Sequence, residues 1–239
     1  MHKTIRYLSA FIITALIVSP FQGAHAQSNK TLSAFHAIYQ VISEGTLSLE
    51  GESERSLSLT QDNQWQFQSK ASAFFASLEE SSRFSWVNGH IQPRQYLYTR
   101  KVLGKARKAN LSFNWKNQTV INDVQNKPWR MKIKTGVLDK LSYQLQLQAD
   151  IAAGKQDLSY EVADGGRLKH YQFAVKGHEN ISTPAGTYNA IRVERVYEKP
   201  SARKTLIWFA PSLNYQLIKL YRQEKKDKTY SLLLKAVTK

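Results

Sequence analysis

Apolar and polar residues alternate with a period of two along most of this chain, and turn residues cut the alternation into short runs. Phe35, Ala37, Tyr39 and Val41 form one apolar face; Trp65, Phe67, Ser69 and Ala71 a second; Leu111, Phe113 and Trp115 a third; Trp129, Met131 and Ile133 a fourth. Successive side chains of a strand point to opposite faces, so each run predicts a strand with one buried side. Asn88-Gly89 and Asp164-Gly165-Gly166 lie between such runs and supply residues that accept the positive φ of tight hairpins. Beyond residue 158 the pattern continues through Leu168–Val175, Tyr188–Tyr197, Leu206–Ala210, Tyr215–Tyr221 and Tyr230–Ala236, with Thr183-Pro184-Ala185-Gly186 as a type I turn. A count of roughly ten to thirteen strands is more than a flat open sheet accommodates without curling.

One stretch fits two patterns. From Asp139 to Gly154, Leu141, Tyr143, Leu145, Leu147, Ala149 and Ile151 alternate as in a strand. Val137, Leu138, Leu141, Leu145, Ala149 and Ala152 also follow the i, i+3, i+4 spacing of a helix, with Asp139, Ser142, Gln146 and Asp150 gathered opposite. Leu, Gln and Ala favour the helix, Asp139 suits an N-cap and Gly154 a C′ position, so the sequence predicts a helix over about 139–153. Its amphipathicity places Leu145 at the centre of the buried face and Leu147 on the flank. The predicted fold is mainly β: a single curled antiparallel sheet or partly open β-barrel with one α-helix packed against it.

Composition adds a location and a charge. His2, Lys3 and Arg6, the apolar run Tyr7–Val18 and Ala24-His25-Ala26 read as a cleavable secretory signal over residues 1–26. The apolar run is too short to span a bilayer, so no transmembrane segment is expected after processing. The remaining residues, 27–239, are expected to form a single mainly-β periplasmic domain. No cysteine occurs in the 239 residues, which excludes disulfides and acylation of an N-terminal cysteine. The net charge is +16, of which Lys3 and Arg6 account for two, leaving +14 on the mature chain. In an envelope compartment such a charge points to anionic lipid, lipopolysaccharide or acidic glycan as partner rather than nucleic acid.

The run TPAGTYNAIRVERVY, then LIWFAP and the strand from Tyr215 to Arg222, preceded by Asp139-x-Leu141-Ser142 and the Tyr160–Phe173 hairpin, resembles a family of exported bacterial proteins called domain of unknown function 3108. The TPAGTY element and the Trp208-x-x-Pro211 pairing carry the resemblance. It implies a signal-bearing, mainly β envelope protein with a curved or open-barrel sheet, and no assigned activity. Gln216 departs from the family pattern, which often has proline there.

Candidate chemistry is sparse. His36, His90, His170 and His178 show no metal-ligand spacing, so neither metal nor cofactor is expected. The fragment Gly51-Glu52-Ser53-Glu54 lacks the second glycine of a nucleophile elbow, and Glu79-Glu80, neighbours on a strand, point to opposite faces. No catalytic residue is assigned. Two basic clusters remain: Arg100, Lys101, Lys105, Arg107 and Lys108, and Arg130, Lys132 and Lys134. As neighbours they would form one stripe able to hold phosphates or carboxylates; apart, they are ordinary solvated faces. Trp65 and Trp115 head an aromatic inner face that would either pack a core or enclose an acyl chain.

These features predict a non-catalytic periplasmic protein that binds or carries an amphipathic anionic ligand such as lipid or lipopolysaccharide. The alternative is a structural or interaction module contacting another envelope protein or an acidic glycan, and an uncharacterised enzyme ranks third.

Overall fold

A computed structural model describes residues 32–45, 48–225 and 227–238; the expected signal segment lies outside the described residues. The chain forms β1 (Phe35–Glu44), β2 (Leu49–Leu59), β3 (Trp65–Ala73), β4 (Ala76–Val87), β5 (His90–Val102), β6 (Lys105–Asn114), β7 (Thr119–Val124) and β8 (Lys127–Lys132). A short β9 (Leu138–Asp139) leads to the helix α1 (Ser142–Ala152). The chain then forms β10 (Ser159–Asp164), β11 (Arg167–Thr183), β12 (Gly186–Val196), β13 (Lys204–Ala210), β14 (Gln216–Lys225) and β15 (Lys228–Thr238).

Among the described residues all fifteen strands join one sheet, in the order β8 to β1, then β15 down to β9. Sheet neighbours are chain neighbours except at β1–β15, where the first and last strands pair from His36–Thr238 to Glu44–Thr229. Every pairing is antiparallel but one: β9 runs parallel to β10, with Leu138 opposite Val162 and Asp139 opposite Ala163. A parallel pair needs a crossover rather than a hairpin, and α1 is that crossover. The sheet does not close into a barrel. Its two edges, β8 and β9, are consecutive in the chain, and β9 packs across the interior against β5.

The predicted turns form where left-handed residues allow them: Asn88 and Gly89 have φ of 49° and 80°, and Gly165 and Gly166 of 62° and 82°. The helix also forms, with ends shorter than expected. Asp139 Oδ1 accepts from the backbone N–H of Leu141 and of Ser142, both at 2.8 Å, capping the turn that precedes α1. At the other end Lys155 N donates to Asp150 O at 3.0 Å and Gly154 N to Ile151 O at 3.1 Å, with Gly154 at φ +70°, a Schellman close.

The placement of the helix differs from the amphipathic expectation. The polar stripe does not face water: Asp139, Ser142, Gln146 and Asp150 are all buried, as are Tyr143, Leu145, Leu147 and Ile151. The curled sheet surrounds α1, and the inner faces of β2, β4, β5 and β10 supply polar partners. Arg55 Nη2 donates to Gln144 Oε1 (2.9 Å), Ser82 Oγ to Asp139 Oδ2 (2.6 Å) and Tyr160 Oη to Asp150 Oδ2 (2.9 Å). Gln146 accepts from Ile91 N at 2.8 Å and donates to Gly89 O at 3.1 Å, tying the helix to the β4–β5 hairpin. Buried polar groups need such partners, because each one left unmade costs about 1–3 kcal/mol.

Candidate functional site

The capped turn at Asp139 aims the start of α1 at one open end of the curled sheet. Tyr143, one residue into the helix, packs its ring between Tyr171, at 5.1 Å and edge-on, and Phe173, stacked at 5.9 Å. Tyr143 is only 2% exposed, yet among the described residues no group hydrogen-bonds its hydroxyl, which lines the cavity at this end.

That cavity, the mouth, has a volume of about 950 Å³. Eight Lys or Arg side chains and four Asp or Glu side chains line it. Lys140 and Lys169 pair with Asp164, and Lys228 with Glu224. The other five cations are all arginines: Arg100, Arg167, Arg195, Arg203 and Arg222. None has an acidic side chain within ion-pair distance among the described residues. Arg195 extends from the inner face of β12, stacking over the Tyr171 ring at 3.5 Å, and its Nε is buried with no hydrogen-bond partner among the described residues. Arg222 extends likewise from β14, in register with Thr205 and Tyr230. Rigid guanidinium forks beside an unpartnered phenol match the geometry of an oxyanion such as phosphate or carboxylate.

The ionisation of the mouth follows from its make-up. Burial raises the Tyr143 pKa, with Arg222 and Arg195 opposing that effect. Burial likewise raises Tyr171, whose hydroxyl donates to Asp164 Oδ2 at 2.9 Å, so both phenols are neutral near pH 7. For Asp164 burial acts upward, but Lys169, Lys140 and the Tyr171 hydroxyl outweigh it and hold the carboxyl below its ordinary range. Asp164 therefore stays an anion and occupies two of the lysines, while Lys228, with Arg222 and Arg203 farther off, holds the Glu224 carboxyl below its ordinary range.

The residues singled out in the sequence fall in several places. Arg100 lines the mouth. Arg107, its cross-strand partner, lines a smaller adjoining cavity of about 220 Å³ with Tyr96 and Tyr98. Lys101 and Lys108 lie on the outer face, and Lys105 closes the β5–β6 hairpin opposite Val102. Arg130 is in register with Ile121 and through it with Ser112, Lys132 with Thr119 and through it with Asn114, and Lys134 is exposed beyond β8. The second cluster is thus displaced along the strands from Arg100 and Arg107, and the two do not merge into one stripe. Trp65 and Trp115 pack against the core; Trp115 stacks on Phe113 at 5.9 Å and donates to Pro93 O at 2.6 Å. Neither lines the mouth.

His36, His170 and His178 each meet one neighbouring side chain: Glu54, Glu161 and Asn189. Glu80 turns inward to accept from the Tyr96 hydroxyl while Glu79 is exposed. Sequence reasoning missed Tyr143, Arg167, Arg195, Arg203 and Arg222. Arg195 and Arg222 carried one local signal: each continues an inward apolar file, Val193 to Arg195 and Ile218, Leu220 to Arg222.

Over residues 35–232 the sequence matches the family described as Protein of unknown function (DUF3108). The fold is similar to a crystal structure described as a β-barrel-like protein of domain of unknown function DUF1849 from Brucella abortus. The TM-score is 0.58 at 9% identity, over 86% of this chain and 97% of that one. At that identity the likeness is one of fold. No curated protein matches the chain. Among the described residues no helix is long and apolar enough to cross a membrane.

Proposed function

This chain belongs to the family described as Protein of unknown function (DUF3108), and from that premise we propose a function built on the mouth: non-catalytic binding of an amphipathic anionic ligand, such as a lipid or lipopolysaccharide, in the cell envelope. The carrying observation is an excess of four cations over acids in the mouth lining, with five arginines that form no ion pair among the described residues, around the Tyr143 hydroxyl that has no hydrogen-bond partner among them. The anionic head sits at Arg195, Arg222 and Tyr143. The rings of Tyr143, Tyr171 and Tyr197, with Phe75 and Val102, offer apolar contact to the portion of the ligand attached to the head. The envelope location rests on the signal pattern of residues 1–26.

Pairing of another protein along the sheet edge is less well supported. The outer edge strand β8 carries Lys127, Pro128, Arg130 and Lys132, residue types that discourage strand addition.

Native mass spectrometry of the mature protein from an envelope fraction, followed by titration with a fluorescent phosphatidylglycerol, tests the proposal. Retained lipid mass or saturable uptake is expected, weakened by about tenfold or more in Arg195→Gln/Arg222→Gln and less in Tyr143→Phe. A clean protein mass with no uptake overturns it.

A further inference from the structure

We propose that the β3–β4 and β5–β6 hairpin tips form a docking surface for an anionic bilayer, with Phe74 and Leu103 entering the interface and Lys101, Lys105 and Lys108 meeting lipid phosphates. This surface is the outer rim, separate from the ligand site inside the mouth. Phe74 is 102% exposed and Leu103 73%, the two most exposed large hydrophobics among the described residues. They are neighbours, because Leu103 N donates to Phe75 O at 3.0 Å across the two tips.

Leu103 sits at φ 48° and is followed by Gly104 at φ 77°. This left-handed turn position favours Asn, Asp or Gly, and a leucine there is strained. With its side chain in water, packing does not explain the choice. A strained, exposed apolar residue therefore points to a role outside the folded core.

Charge selects the occupant. Lys101 and Lys108 lie on the outer face of these hairpins and Lys105 at the β5–β6 tip, three cations against the single carboxylate of Glu50, which borders Phe74 and Lys101; Lys70 lies farther back, in register with Glu54 and Glu79. Two projecting apolar tips flanked by Lys101, Lys105 and Lys108 suit the head-group region of an anionic bilayer, where side chains enter singly and the cations stay at phosphate level. A protein partner would instead be expected to meet a broader, flatter apolar patch. Phe75, Ala76, Arg100 and Val102 of the same hairpins line the mouth, so docking at the tips turns the mouth toward the bilayer.

The test is flotation of the mature chain with vesicles of equal parts phosphatidylcholine and phosphatidylglycerol, against vesicles of phosphatidylcholine alone. Binding to the anionic vesicles only is expected. Phe74→Ser/Leu103→Ser should weaken it by about tenfold or more. Lys101→Ser/Lys105→Ser/Lys108→Ser should weaken it and flatten its salt dependence. The same charge removed as Arg130→Ser/Lys132→Ser/Lys134→Ser should change it by no more than about twofold. Thermal melts establish that each variant is folded. Equal losses from the two charge sets, or full binding by the Phe74/Leu103 variant, overturn the proposal. The Arg195→Gln/Arg222→Gln variant separates the two functions: it should lose retained ligand and still float.

Discussion

The indole N–H of Trp129 donates to the carbonyl of Gly166 at 3.1 Å, and through this contact the edge strand β8 meets the β10–β11 turn where the sheet has no ladder. A Cβ on Gly166 would run into the Trp129 ring at Cζ2, and Gly166 has φ +82°. Gly104 shares the left-handed conformation at φ +77° but has nothing within 4 Å.

Gly104→Ala should therefore cost only the backbone strain, about 1 kcal/mol, while Gly166→Ala should cost about 2 kcal/mol and release Trp129. Urea titrations with tryptophan emission measure both. Equal costs would mean that the seam contact adds nothing to stability.

The enclosed helix changes the ranking of two leucines. Leu145 and Leu147 are two positions apart, roughly 200° around a helix, yet they are 3% and 0% exposed. Leu145 borders a cavity of about 460 Å³ at the end away from the mouth. Leu147→Ala should consequently cost at least as much as Leu145→Ala, each within about 2–5 kcal/mol in a denaturant titration. A markedly smaller loss at Leu147 would place the helix on the rim of the sheet.

The same enclosure sets what was legible in the sequence. Strands whose inward positions are apolar, such as β1 with Ala37, Tyr39 and Val41, showed themselves by alternation. The inward positions of β2 are Ser53, Arg55 and Leu57, because that face meets Gln144 on the helix, so no apolar stripe marks the strand. The helix was legible from composition and from Asp139 and Gly154. The direction of its polar stripe was not, since amphipathic reasoning assumes that the polar side is wet. The arginines of the mouth come from β5, β11, β12, β14 and the loop before β13, and much of the rest of its lining from α1 and from β1, β4, β10, β13 and β15. Its arginines are dispersed in sequence and only the strand register brings them together.

Gln146 provides a third test. Gln146→Leu keeps the size and helix propensity but leaves Ile91 N–H, Gly89 O and one of the Asp150 contacts without this partner. A loss of about 2–4 kcal/mol is expected. Gln148→Leu, on the half-buried side toward the apolar cavity, should stay within about 0.5 kcal/mol of the parent. Similar losses at both positions would show that the stripe is not specifically partnered.

Asp139 gives a pH dependence with a definite sign. Burial raises its carboxyl pKa above the ordinary value, against the opposing hydrogen bonds from Ser82, Ser142 and Leu141. A group with a raised folded pKa binds its proton more tightly in the native state. Its stabilising contribution is complete below the unfolded pKa of about 3.9 and is lost as pH rises through the folded value. Asp139→Asn can keep the geometry: Oδ1 accepts from Leu141 and Ser142, and Nδ2 donates to Ser82 Oγ. The variant removes the titration, so its stability relative to the parent should increase from about pH 4 toward neutral. Asp164, with its lowered pKa, acts in the opposite direction but is common to both proteins and cancels in the comparison. Denaturant titrations of the pair across this range give the difference directly; a flat difference would show that the three hydrogen bonds fully offset the burial of the carboxylate.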